Sequence, residues 1–480
     1  MTTKNPFDHQ GISFYAKKGI TSQELAGDND YYDVGIRMAH AFSDKFAGKV
    51  SFSMLKGTDW YSDDTNEYEF SAIGAPDKIN PYKTGGYDHQ AMNIYGDEIV
   101  TDIHNVALAM EAGGLIPGGA SALVPHDNVG RTGYAEKDLT DYNAESVKVD
   151  VSLNYRPMGD DLEISYNFRT GFGSTIYQGT NRYQLKDFLM IQNKLEIKNK
   201  NFFVRAYSTS EDAGKSYDMV FTGINMNRDN SPLWYGTYVG AYLQATMAGA
   251  TSDQAHQGAR VYADDNITIK PGTPEFQKKF DEVTTNPDFT KGSLFVDKTK
   301  MYVGEANYNF SSLFNDKVNF QVGGSFRRYS LNSAGTIFTD YDGSIDYDEY
   351  GAYMMASKKF ADERLKLSAS LRYDKNEYFD GSISPRASIV YSAGDSRQHN
   401  FRASYQTGFR NPTTQDLFIG LDAGRAILAG SSPDNLDRIL PNTHLTGRDA
   451  YNDSYSRTSV ANFAATGDPS KLKAVVTDLV

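Results

Sequence analysis

The 480-residue chain contains no cysteine, which excludes disulfide scaffolds, thiolate zinc sites and cysteine nucleophiles together. It also lacks any apolar run approaching ~18 residues, so a helical membrane span is not expected. Hydrophobic residues make up only 39% of it and its mean hydropathy is -0.54. Positive charge is in deficit: the net charge is -13 and no basic patch is present, which argues against nucleic acid as a partner. Residues 1–20 carry no charged segment followed by an apolar one, so no signal peptide is visible, and an exported form would start upstream of Met1. The G-x-S-x-G, P-loop and H-E-x-x-H signatures are absent. The eight histidines (His9, His40, His89, His104, His126, His256, His399 and His444) show no metal-ligand spacing. No catalytic residue, no metal and no cofactor is therefore expected.

What is present is alternation. Along Val147–Tyr155, Val147, Val149, Val151, Leu153 and Tyr155 interleave with Lys148, Asp150, Ser152 and Asn154. A strand sends the first set to one face and the second to the other. Leu162, Ile164, Tyr166 and Phe168 repeat the pattern after a turn at Pro157–Asp161, giving an antiparallel hairpin. Each arm alternates for about ten residues, the length a tilted strand needs to cross hydrocarbon, and the polar face carries charges suited to a wet interior. A large soluble all-β protein would show similar hairpins over shorter stretches.

About thirteen such strands can be counted between residues 11 and 410. Turns near residues 44, 159, 199, 314, 361 and 394 are tight. The connections between them are read as longer, from about ten residues up to two tracts near Trp60–Glu145 and Glu211–Lys298 without sustained periodicity. Within these tracts only Ala241–Ala248 suggests a short helix. Short periplasmic turns opposite long extracellular loops are the arrangement of outer-membrane barrels, whereas a sandwich has no reason to segregate loop length by end. The fold expected is all-β, an antiparallel up-and-down transmembrane β-barrel, incomplete because an unpaired edge cannot face lipid. Residues 411–480 do not alternate; Ser456–Ala465 and Lys471–Leu479 read as short helices in a loop where the chain is truncated.

Specific residues then carry a resemblance. Ser384-Pro385-Arg386-Ala387-Ser388, Asn400-Phe401-Arg402-Ala403-Ser404-Tyr405 and above all Thr407-Gly408-Phe409-Arg410-Asn411-Pro412-Thr413 resemble the barrel of TonB-dependent outer-membrane receptors. Phe14-Tyr15 after Gly11, Lys56-Gly57-Thr58-Asp59-Trp60, Arg131-Thr132-Gly133-Tyr134 and Arg372-Tyr373-Asp374 are similar to the Bacteroidetes-type, SusC-like members. The resemblance implies a barrel of about 22 strands around an N-terminal plug, importing scarce nutrients with energy from the TonB complex. It implies a division into 1–10, the end of a plug-to-barrel connection; 11–410, a partial barrel; and 411–480, an extracellular loop segment. The implied partners are outer-membrane lipid, the TonB complex through a plug absent from this chain, a surface lipoprotein, and a small nutrient: siderophore, glycan, peptide or vitamin.

Candidate ligand contacts are the aromatic pairs Trp60-Tyr61 and Trp234-Tyr235, which lie in polar tracts, together with Arg410 and Asn411. Arg169, Arg327, Arg372 and Arg402 fall on polar faces and would line the lumen, ion-paired to the wall or facing a plug or anionic ligand. Asp340–Glu349 supplies acidic residues at several EF-hand positions, but Phe338 stands where the first Asp belongs, and a solvated acidic turn is expected instead. Two rivals remain: a secreted aromatic-rich β-protein that binds carbohydrate, and an outer-membrane barrel hydrolase. The wall reading predicts that Arg at Val151 is costly and Arg at Ser152 nearly neutral.

Overall fold

The computed structural model describes residues 4–64, 91–179, 181–422, 427–441, 443–452 and 455–473. Thirteen long strands follow one another along a single sheet in sequence order, each antiparallel to the next. They are β1 (Gly11–Gln23), β2 (Gly27–Ala41), β3 (Phe46–Thr58), β4 (Asn143–Tyr155), β5 (Glu163–Gln178), β6 (Arg182–Lys198) and β7 (Phe202–Asp212). The second half is β8 (Lys300–Asn309), β9 (Val318–Leu331), β10 (Ile345–Phe360), β11 (Leu365–Asn376), β12 (Ser382–Ala393) and β13 (His399–Gln406). The sheet is not closed into a ring, and β1 and β13 form its two edges.

Because the pairing is in register across the sheet, the period-two pattern of each strand adds up to two chemically opposite faces. One row of partners runs Val50, Val151, Phe168; another runs Leu153, Tyr166, Leu195, Ala206. On the other face a row runs Lys49, Ser152, Asn167, Lys194, Tyr207, Val303, Arg327, Glu349, Asn376. The apolar face is uncovered: Leu195 is 49% exposed and Met354 51%, with Leu153, Val204, Tyr308, Leu371 and Ile389 similarly open. The polar face is shielded over β3–β5, where Lys49, Ser152, Asn154, Glu163, Ser165 and Asn167 are all buried.

Two glycines shape that inner face. Tyr15 lies over Gly35, its cross-strand partner, and Tyr353 over Gly323, so that a Cβ on either glycine would fall 2.4 and 2.5 Å from a ring carbon. A flat ring over a bare backbone fills space where the sheet curves.

The connections correct the expected regularity. Those at 42–45, 156–162, 199–201, 310–317, 361–364 and 394–398 are short, and both very long ones lie at the opposite end. That end also carries tight turns at 24–26 and 179–181, because β1, β2, β5 and β6 extend through residues whose polarity reads as loop. The second long tract is not irregular. It holds helices Met219–Asn227, Ser231–Met247, Ser252–Ile267 and Pro274–Thr284, and the first holds Ile103–Ala112. Ser231–Met247 buries one broad face, but three of its six buried residues are tyrosine and Leu233 and Met247 stand exposed, which blurs the amphipathic period that would have marked it. Arg457–Thr466 is helical, whereas 474–480, the end of the other expected helix, lies outside the described residues.

The hydrophobic cores sit in these connections and at the strand ends that meet them. Ile103, Ala107, Trp234, Tyr238, Val239 and Ala259 form one; Tyr95, Tyr134, Met219 and Phe276 a second. A third joins Phe221, Ile224, Phe289 and Phe295 to Ile419 and Leu421, and a fourth joins Phe338 to Leu417 and Phe418. Residues 91–142, 213–299, 332–344, 413–422 and 427–440 therefore pack as one apical unit on the sheet rim, where Tyr183, Leu331, Ile345 and Tyr347 meet it.

Candidate functional site

The apical unit is tied to the sheet by a buried carboxylate. Glu136 accepts from Asn93 Nδ2 at 2.8 Å, Tyr95 OH at 2.8 Å, Tyr142 OH at 2.9 Å and Arg182 Nε at 2.7 Å. Four donors around one carboxylate satisfy its lone pairs without water. Nearby, Asp59 accepts from Thr175 Oγ1 at 2.6 Å and Ile176 N at 2.7 Å, so the Lys56–Trp60 motif fastens the top of β3 to β5. The Tyr61 ring stacks on Tyr142 at 3.7 Å. Trp60, in contrast, is 65% exposed and bonds through its backbone, its N–H donating to Asp59 Oδ1 and its carbonyl accepting from Arg182. Of the first aromatic pair, Trp60 presents a free face.

The second aromatic pair is not at a surface. Trp234 is fully buried, its Nε1 donates to Asp264 Oδ1 at 2.8 Å, and its ring stacks on Tyr238 at 5.1 Å. The guanidinium groups of Arg131 and Arg260 lie against it at 5.8 and 5.5 Å. Tyr235 is buried with its OH donating to Val129 O at 3.1 Å. Both residues are core of the helical insert, because the helix they stand on is covered by its neighbours; a ligand-contact role for them is withdrawn. Arg131, from the Arg131–Tyr134 motif, belongs to the same core and lies 3.8 Å from Asp97, whose carboxyl burial pushes up against the opposing pull of Arg131.

On the inner face, Arg169 Nε donates to Asp150 Oδ2 at 2.7 Å, Arg327 Nη1 to Glu349 Oε2 at 2.9 Å and Arg372 Nη2 to Asp374 Oδ1 at 2.6 Å. Arg402 and Arg410 are exposed and make no ion pair among the described residues. Asn411 reaches back across β11–β13 and donates to Glu349 Oε1 at 3.1 Å, beside Asn376 at 3.0 Å. Thr413 then caps helix Thr414–Phe418, which drops Leu417 and Phe418 into the fourth core. The Thr407–Thr413 motif is thus the hinge by which the chain leaves the last wall strand and folds into the apical unit. Trp60 and Tyr61 meet Arg182 and Tyr142, whereas Asn411 meets Glu349, so the two candidate pairs share no contact partner.

Within the acidic stretch at 340–349 only residues 341–344 form the exposed turn expected. Asp340 is buried and accepts from Ser333 Oγ at 2.6 Å, Gly335 N at 2.8 Å and Ala334 N at 3.2 Å, closing its own loop. From Ile345 onward the chain is β10, which sends Asp346 and Asp348 to one face and Glu349 to the other. Elsewhere in the unit, Asp218 is buried at the N-terminus of Met219–Asn227; burial pushes its carboxyl up to about 6, against the bonds from Asn181 Nδ2 and Phe221 N. The buried His256 imidazole is pushed down by burial, opposed by Asp127 at 3.2 Å.

Residues 271–446 match the family described as TonB dependent receptor-like, beta-barrel. A search of curated proteins finds no match. Among solved structures the chain is similar to the siderophore receptor PirA from Pseudomonas aeruginosa, at 9% identity over 86% of this chain and 48% of that one, with a TM-score of 0.41. It is also similar to the FrpB iron transporter from Neisseria meningitidis, at 10% identity over 82% and 46%, TM-score 0.39. A ferric enterobactin receptor (PfeA) mutant from Pseudomonas aeruginosa follows at 8% identity over 80% and 42%, TM-score 0.41. The chain spans about half the length, or less, of these structures.

Proposed function

We propose that the chain is a section of the wall of a TonB-dependent receptor in a bacterial outer membrane, of SusC-like kin, and that its apical loops capture a scarce nutrient for import. Residues 11–410 supply the wall, 1–10 the approach to it from a plug, and 411–480 a loop segment of the apical unit. The observation that carries this reading is the inversion of the sheet. Its apolar rows stand uncovered on the outer face while Lys49, Ser152, Asn154, Glu163, Ser165 and Asn167 are buried on the inner one, and the packed cores lie in the connections and at the rim where strands meet them. Exposing this much apolar surface to water would cost about 25 cal/mol per Å², so the outer face calls for hydrocarbon. The match over residues 271–446 supports the same reading.

In this reading Trp60 and Arg410 are the ligand contacts, and Asn411 positions the segment carrying Arg410. Arg169, Arg327 and Arg372 brace the inner wall, while Arg402 remains free to meet a plug or an anionic ligand. The nutrient belongs to the siderophore, glycan, peptide or vitamin classes, with TonB reached through the plug; no catalytic step is assigned. The absence of cysteine makes a topology test direct. Single cysteines at Leu233, on the apical unit, and Met158, at a short turn, are both exposed. In intact cells an impermeant maleimide should label the first and reach the second only after permeabilisation; equal labelling of both would overturn the proposal.

A further inference from the structure

Two histidines that are far apart in sequence meet on the surface of the apical unit. The rings of His104 and His126 lie 4.0 Å apart between centroids at 36°. His104 Nδ1 is 2.8 Å from the carbonyl oxygen of Val124 and His126 Nδ1 is 2.8 Å from Asp102 Oδ2. A carbonyl and a carboxylate only accept, so each Nδ1 carries the hydrogen and Nε2 is the atom left to bind a metal. Asp102 is itself fixed, its other oxygen capping helix Ile103–Ala112 through His104 N at 2.8 Å. The His126 side chain is 69% exposed, so the pair opens to solvent.

Anchoring Nδ1–H on a carboxylate or a backbone carbonyl is how proteins orient imidazoles that bind metal through Nε2. We infer that His104 and His126 form a surface site for a divalent ion of the imidazole-preferring class, copper, nickel or zinc. Imidazole nitrogens suit those ions, whereas hard calcium and magnesium take oxygen ligands. No group of three or more His, Cys, Asp or Glu is placed to hold a metal among the described residues, so solvent or a carrier molecule supplies the remaining ligands. Asp102 and Val124 O act as positioning groups behind the two imidazoles. The site stands apart from the wall reading, since binding to the isolated chain requires no transport.

The test is a titration of the full chain in detergent with Cu2+, followed by electron paramagnetic resonance and competition dialysis. Wild type should show one site with nitrogen ligation. His104→Ala and His126→Ala should each weaken it at least tenfold and change the nitrogen pattern, and Asp102→Asn should weaken it about tenfold while retaining both nitrogens. His126 is exposed, so its removal leaves folding intact, as circular dichroism would verify. His9→Ala should change nothing. Unchanged affinity and nitrogen pattern in the His104/His126 double variant, or a wild-type spectrum without nitrogen ligation, would overturn the assignment.

Discussion

Val151 stands on the outer face between Val50 and Phe168, well within β4, where the account puts hydrocarbon. A guanidinium there must leave water or drag it into the bilayer, which costs about 2–4 kcal/mol near the membrane midplane. That range corresponds to a loss of about thirty- to several-hundred-fold in the folding equilibrium. A fair control faces inward without polar bonds to break. Ser388 qualifies, since its row partners are Ser368 and Ser404. Ser152 does not: it is 3% exposed, accepts from Asn167 Nδ2 at 2.7 Å and donates to Asn154 Oδ1 at 2.8 Å. Arginine at Ser152 would break that network and bury a charge, so the near-neutrality expected from alternation alone does not hold. The assay is reversible urea unfolding in lipid vesicles, reading the midpoint at constant slope. Val151→Arg should fall by the stated amount and Ser388→Arg by less than about 0.5 kcal/mol. Equal losses at the two positions would refute the reasoning.

Glu136→Gln leaves Arg182 buried without its counter-charge and should cost about 3–5 kcal/mol, seen as faster hydrogen exchange across 91–95 and 134–142. Asp218 has a folded pKa raised by burial to about 6, against roughly 4 unfolded, so its contribution is full below about pH 4 and is lost as pH climbs through 6. Exchange of helix Met219–Asn227 should accelerate over that window by the equivalent of about 3 kcal/mol, and Asp218→Asn should flatten the dependence. Glu349→Ala strands Arg327, Asn376 and Asn411 and should cost about 2–3 kcal/mol, whereas Asn411→Ala, removing one bond at 3.1 Å, should cost under about 1. Urea midpoints of the two variants decide between hub and latch.

The strands were legible because the wall asks one simple thing of each residue, which face it is on; Val147–Tyr155 obeys period two throughout and pairs in register as that pattern requires. The apical unit was not. The buried face of Ser231–Met247 is built half from tyrosine, while Leu233 and Met247 stand exposed on the other, so the apolar contrast between its faces is weak. Strand ends such as Asp28–Asp30 read as loop because polar residues carry β-structure beyond any apolar environment. Glu136, Asp340 and the His104–His126 pair depend on partners brought together by the fold, and no spacing in the chain announces them. Trp234 and Tyr235 show the converse error, since aromatic residues in a polar tract are as readily the core of a hidden helical unit.

The most direct measurement is a cysteine scan along β4 from Val147 to Tyr155 in lipid vesicles, comparing a bilayer-partitioning maleimide with an aqueous one. Cysteines at Val149, Val151 and Leu153 should react with the first reagent and those at Lys148 and Asp150 with the second, alternating residue by residue. Reactivity without that alternation, or aqueous labelling of both sets, would contradict it.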